Sequence, residues 1–185
     1  MENFADLYSD YLISSSSYAT STGMANLLSI KHDKITRELS NGDYDSKFLW
    51  KQSKVYVKEL TQSKELITLS FDDSIEEKRY TDESELHCWH FDHTFGKSVR
   101  GVNFLTALIE VGTMRLPCAV EFVKKDLWKK DPKTGKEKRK SSVSKNELFR
   151  KMLRECNGKF RFDYVLADSW YSSNENMNCC KKELN

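Results

Sequence analysis

Apolar and small polar residues alternate from Ile67 to Phe71 and run directly into Asp72-Asp73-Ser74. A period of two predicts a half-buried strand, here ending in two adjacent carboxylates. The design recurs at Phe160-Arg161-Phe162-Asp163-Tyr164-Val165-Leu166-Ala167-Asp168, an aromatic and β-branched stretch that also closes on an Asp. Between the two, Val102 to Val111 is almost continuously apolar, and flanking Gly101 and Gly112 favour a buried strand over a helix. Leu116 to Val123 places Leu116, Cys118, Val120 and Phe122 on one face of a further strand. The short turn through Gly112-Thr113-Met114-Arg115 predicts antiparallel pairing of these two. Ile75 to Arg100 reads as a polar excursion, rich in charge and His.

Helical spacing marks the first 60 residues. Phe4, Leu7, Tyr8, Tyr11 and Leu12 share a face, and Ser14 to Ser17 interrupts it. Thr20 to Leu28 is a short helix, Ser29-Ile30 a tight connection, and Lys31 to Leu39 a second helix stopped by Asn41-Gly42. Such a pair, with Lys31, Lys34 and Arg37 on its second member, resembles a helix-turn-helix, whose second helix enters the major groove. A basic face on a helix pair that never touches DNA is the alternative. Phe48 to Leu60 reads as a further helix, with Trp50, Val55, Val57 and Leu60 apolar. Ser144 to Cys156 is the strongest helix. Ser144 and Glu147 form a capping box, Leu148, Met152, Leu153 and Cys156 a buried stripe, and Gly158 ends it. A helix crossing from strand to strand implies that Phe160–Asp168 joins the sheet in parallel. Ser172 to Leu184 opens another helix.

The expected organisation is therefore α/β. An all-α domain spans residues 1–60 and a strand-rich core spans 61–178, with a tail at 179–185. Three antiparallel strands, a helix and a parallel strand follow the order of a partial ribonuclease-H-like core. The 185 residues, 38% hydrophobic and 31% charged, suit one domain or one plus a small partner, soluble in character. A net charge of +2 excludes a polycation, so any nucleic-acid affinity must come from local patches. One such patch is Lys124 to Lys140, with nine Lys/Arg against Asp126, Asp131 and Glu137. Pro132 and Gly135 forbid a regular helix through it. It reads either as a solvated loop or as a phosphate-contacting loop, with Lys129, Lys130, Lys138, Arg139 and Lys140 as contacts and Trp128 available to stack. Five scattered Cys, odd in number and without a CxxC pair, fit free thiols in a reducing cytosol. No signal-peptide pattern opens the chain and no run of 18 apolar residues occurs, so a cytoplasmic protein with no membrane partner is expected.

Two strands that each deliver a carboxylate to one sheet edge make a site for a hard divalent cation, because Mg²⁺ wants rigidly held oxygen ligands. Asp73 and Asp168 are the candidate pair. A lone Asp-Asp-Ser is more often a capped turn, and the matching Asp at 168 argues against that reading here. His87, Cys88, His90 and His93 crowd into seven residues but fit no structural zinc spacing, and polar surface is their expected role. Gly96-Lys97-Ser98 resembles the tail of a P-loop, but position 91 is Phe where that loop requires Gly.

Taken together, Phe71-Asp72-Asp73-Ser74, Trp89 to Asn103, Val165 to Ser172 and His32 to Arg37 resemble the DDE transposases of bacterial insertion sequences. The branch resembled carries a strand-rich insertion after its second Asp. The likeness covers about residues 5–178. It implies a helical DNA-binding head and a catalytic core. Asp73, rather than Asp72, would be the first catalytic Asp and metal ligand, and Asp168 the second. It further implies Mg²⁺ or Mn²⁺ as cofactor, with two ions about 3.5–4 Å apart serving phosphoryl transfer. DNA, as transposon ends, is the implied partner, alongside a homodimer or a full-length transposase, in a bacterial cytoplasm near the nucleoid. The family's third carboxylate is a Glu beyond the insertion, and Glu175 lies too close to Asp168 to be it. A truncated transposase with weak metal binding and little cleavage is therefore expected, with a non-catalytic DNA-binding protein or transposition inhibitor as the alternative.

Overall fold

A computed structural model of the chain describes residues 4–16, 18–78, 80–132 and 134–184. The chain divides into two compact units between Tyr44 and Asp45. The first holds three helices, α1 (Phe4–Ser14), α2 (Ser21–Leu28) and α3 (His32–Asn41). Thr20 caps α2 by accepting the Gly23 N–H, and Ser29, at φ 53°, turns the chain into α3. Met24 and Ile35 are fully buried at the centre of a cluster with Phe4, Tyr11 and Ala25. Tyr11 ties α1 to the entry of α2, its hydroxyl donating to the Thr20 carbonyl at 3.0 Å and accepting the Thr20 N–H at 3.1 Å.

The second unit opens with α4 (Ser46–Leu60), capped by Asp45. This helix was expected to belong with the N-terminal helices, yet it lies against the edge of a sheet. The Ser46 hydroxyl accepts the Val120 N–H at 3.3 Å, Val57 is fully buried in the sheet core, and Trp50 stacks on Phe160. The reason is apolar area: Trp50, Val57 and Leu60 find their burial on the strands.

The strands are β1 (Ile67–Glu77), β2 (His87–Asp92), β3 (Lys97–Val111) and β4 (Met114–Phe122), a separate pair β5 (Leu127–Lys130) and β6 (Glu137–Lys140), and β7 (Tyr164–Ala167). Helix α5 (Lys145–Asn157) precedes β7, and a single 3₁₀ turn (Ser169–Tyr171) and α6 (Asn174–Leu184) follow it. The main sheet runs β2-β3-β1-β7, with β4 also on β3. β1 is antiparallel to β3 and parallel to β7, the latter through Thr68↔Tyr164 to Phe71↔Ala167. The handedness of a helical crossover and the apolar stripe of α5 produce that parallel addition.

Three elements depart from expectation. β1 does not stop at the carboxylates but continues to Glu77, because β3 is long enough to pair it throughout. The polar excursion contains a strand, β2, whose inward residues Cys88 and His90 are buried. The basic run is an antiparallel hairpin in which Trp128 lies opposite Arg139. At Gly101 on β3 an added Cβ would come within 2.2 Å of the Glu76 carbonyl oxygen on β1. The core lies between one sheet face and α5, where Phe149 meets Phe71 edge-on at 4.6 Å and stacks on Tyr171 at 5.3 Å.

Candidate functional site

Alternation along β1 decides which acidic side chain faces the helix. Leu69 and Phe71 are buried against α5, and Asp73, two further on, shares their face and is partly exposed. Asp72 is exposed and points the other way, on the side of Ser70 and Ser74. The parallel partner β7 ends at Ala167, opposite Phe71, and Asp168 follows immediately. The two strands therefore hand their acidic residues to one end of the sheet. Asp73 and Asp168 line a single cleft of about 1010 Å³ there, with Asn103, His90, Lys125, Lys145 and Trp170 among its walls.

Asp168 is exposed and caps the 3₁₀ turn. Its carboxylate accepts the Trp170 N–H at 3.1 Å and the Ser169 hydroxyl at 3.0 Å, and these bonds hold it below the usual carboxylate range. Asp73 receives an ion pair from the Lys145 ammonium on Oδ2, and on Oδ1 a hydrogen bond from the Tyr171 hydroxyl at 3.2 Å. Tyr171 is almost fully buried. Burial raises its phenol strongly, with Asp73, then Asp72 and Asp168, adding to the effect, so it stays a donor. All three carboxylates thus act on one phenol.

The cleft floor lies further along the same sheet face. His90 is 5% exposed, with its Nε2 3.4 Å from the Cys88 thiol. Burial first, then Lys125, Lys145 and His87, lowers its pKa to about 4, so the ring is neutral at physiological pH. Lys125 is lowered by burial, and its ammonium donates to the Trp89 carbonyl. Asn103 is 2% exposed, and its Oδ1 has no hydrogen-bond partner. An orphaned buried amide oxygen is costly unless something polar meets it from the cleft.

Of the His/Cys run expected to be polar surface, His87 and His90 are buried and only His93 sits outside, edge-on to Phe91. Both ring nitrogens of His87 face carbonyls, Asp82 at 2.9 Å and Lys78 at 2.7 Å. The expected DNA-contacting residues fall in three places. Lys31, at the N-cap of α3, and Lys34 and Arg37 on that helix are exposed in the first unit. Lys129, Lys130, Lys138 and Lys140 are exposed on the β5–β6 hairpin, Lys138 paired with Asp131 at 2.7 Å. Arg139 differs: it lies over the Trp128 ring at 4.4 Å and donates to Glu83 at 3.1 Å, so its guanidinium is engaged within the fold. Lys145 and Tyr171 escaped sequence reasoning. The first was hidden inside the capping box, and the second follows Asp168 by one helical turn's spacing, which is the signal that could have found it.

A model of the DDE superfamily endonuclease family matches residues 2–184, almost the whole chain. The chain belongs to that family. No curated protein and no solved structure matches it. DDE superfamily endonucleases act on DNA and generally use divalent metal ions, and the mixed sheet with flanking helices is consistent with their ribonuclease-H-like fold. The donor set fits such an ion in part. Two carboxylates, Asp73 and Asp168, are hard oxygen ligands at one cleft, as Mg²⁺ and Mn²⁺ prefer. Among the described residues, no cluster of three His, Cys, Asp or Glu could hold a metal alone. Magnesium is commonly held by one or two carboxylates, with water and substrate phosphate completing the shell. Among the described residues, no helix is long and apolar enough to cross a membrane.

Proposed function

We propose that this DDE endonuclease is of the transposase type, binding the ends of a DNA element for metal-dependent strand cleavage and transfer. The observation that carries the reading is the convergence of Asp73 and Asp168 on one cleft at the end of paired parallel strands. A divalent ion held there would supply Lewis-acid activation of water or a 3′-hydroxyl and steady the leaving oxygen. The chain's own groups do the rest. Asp73 and Asp168 offer ionised oxygens, Tyr171 orients Asp73 through its hydroxyl, and the cations of the cleft favour a phosphate backbone. Lys129, Lys130, Lys138 and Lys140 on the hairpin, and Lys31, Lys34 and Arg37 on α3, supply phosphate contacts to DNA in a bacterial cytoplasm. The helices up to Tyr44 are the working DNA-binding part and the unit from Asp45 onward the working catalytic core, and a homodimer or a longer transposase is the working partner.

With two carboxylates as anchors, metal binding is weak and turnover low. Nicking of supercoiled plasmid carrying element ends, in Mn²⁺ or Mg²⁺, tests this. Slow nicking that Asp73→Ala and Asp168→Ala each abolish supports the reading. Robust nicking indifferent to both substitutions contradicts it. The two-carboxylate donor set also favours a second reading, a non-catalytic DNA-binding protein or transposition inhibitor. In that case Asp73→Ala leaves DNA binding intact and no variant nicks.

A further inference from the structure

Lys145 is the first residue of α5, where a cation is electrostatically misplaced. A helix N-terminus carries a partial positive charge that favours anions. The helix start is already served by the Ser144–Glu147 capping box, with Glu147 accepting the Ser144 N–H at 2.7 Å. The position of Lys145 is therefore explained by what its side chain reaches, and it reaches the Asp73 carboxylate. Neither partner is deeply buried: their side chains are 24% and 25% exposed, at the wall of the open cleft. A second resting place is at hand, because the ammonium also lies 5.7 Å from the centre of the Trp170 ring. Trp170 is half-exposed and donates its backbone N–H to Asp168, so that ring borders the other carboxylate.

We propose that Lys145 is an internal competitor for the metal, its ammonium and a divalent cation being alternative partners of the Asp73 carboxylate. Loading the cleft then requires the ammonium to leave Asp73, and the Trp170 face receives it. The inference rests on the reading of Asp73 as a metal ligand. An ammonium and a divalent cation cannot both rest against the single Asp73 carboxylate without strong repulsion, and Lys125 adds a further cation to the same cleft. Lys145 therefore sets the metal concentration at which the site fills. It keeps Asp73 compensated below that concentration.

Titration of the whole chain with Mn²⁺, followed by electron paramagnetic resonance of the free ion, tests the proposal without any activity assay. The wild type, Lys145→Met, Lys145→Arg, Asp73→Asn and the Asp73→Asn/Lys145→Met double variant are compared. A partly exposed ion pair is worth up to about a fivefold factor, so Lys145→Met is expected to tighten Mn²⁺ binding about two- to fivefold. Lys145→Arg, which keeps the charge, should bind as the wild type does. In the Asp73→Asn background the Lys145 substitution should make no difference. Binding that depends on Asp73 but is equal or weaker in Lys145→Met overturns the competitor role alone. Binding indifferent to Asp73→Asn, or absent from both wild type and Lys145→Met, overturns the metal-site reading and the proposal with it. Circular dichroism confirms folding of each variant.

Discussion

Burial and two neighbouring ammonium groups keep the His90 imidazole neutral down to about pH 4. The folded pKa lies below the unfolded value near 6.5, so the unfolded chain binds more protons between those limits. Stability contributed by His90 is present above about pH 6.5 and is lost as the pH falls towards about 4. The loss should total on the order of 2–3 kcal/mol. Urea titrations at pH 7 and pH 4.5 should show this fall in the wild type. His90→Gln should flatten it while lowering the stability at pH 7. Equal pH dependence in both proteins would leave the buried imidazole without a role in acid sensitivity. Sequence reading saw the His/Cys run only as a failed zinc motif. Alternation does place Cys88 and His90 on one face, but nothing in the letters says that this face turns inward. That is decided by pairing with β3, where Gly101 and Val99 lie opposite. The face that Asp73 takes, by contrast, follows from the strand period, because Leu69, Phe71 and Asp73 hold one phase of a clear alternation.

At the scale of elements, capping and periodicity were the dependable signals. The Ser144–Glu147 box appears as read, and the Phe160–Asp168 stretch joins β1 in parallel as the crossover rule requires. What escaped were strands made of polar residues. β2 and the β5–β6 hairpin carry so many charges and His that hydrophobic patterning is silent, and cross-strand pairing alone defines them. In the hairpin that pairing is Trp128 against Arg139, a contact that rigidifies the ribbon and leaves the lysines outside. The hairpin is proposed to lie on DNA phosphates. Changing Lys129, Lys130, Lys138 and Lys140 together to Gln should then reduce the slope of log affinity against log salt by about 3–4, as four phosphate contacts require. An unchanged slope between about 50 and 200 mM salt would assign the hairpin to solvent. Gly101 makes a structural counterpart. With 2.2 Å between an added Cβ and the Glu76 carbonyl, Gly101→Ala should cost about 1–3 kcal/mol, read from the urea midpoint.

For the whole molecule, the decisive point is where the second unit begins. Helical spacing suggests a boundary at 60, since the Phe48–Leu60 helix follows the earlier helices and precedes the first strand. Packing places the division at Tyr44–Asp45 instead, because Trp50, Val57 and Leu60 complete the sheet's core and Ser46 satisfies an edge amide of β4. Residues 45–185 alone should therefore unfold cooperatively, with near-ultraviolet circular dichroism retained up to the transition. Residues 61–185 should not, having lost the helix that covers the β4 edge. Equal cooperativity in both would restore the boundary at 60. A sequence reports an amphipathic helix readily, but which of two neighbours buries its stripe is a property of tertiary packing.

The central claim is that one divalent ion is held jointly by Asp73 and Asp168. Ferrous iron bound at that position, with ascorbate and peroxide, generates hydroxyl radicals that cut the backbone beside the metal. The account predicts cuts in β1 around Asp73 and in the segment from Asp168 to Tyr171, both suppressed by excess Mg²⁺. Cuts confined to one of these segments, or located elsewhere in the chain, would contradict it.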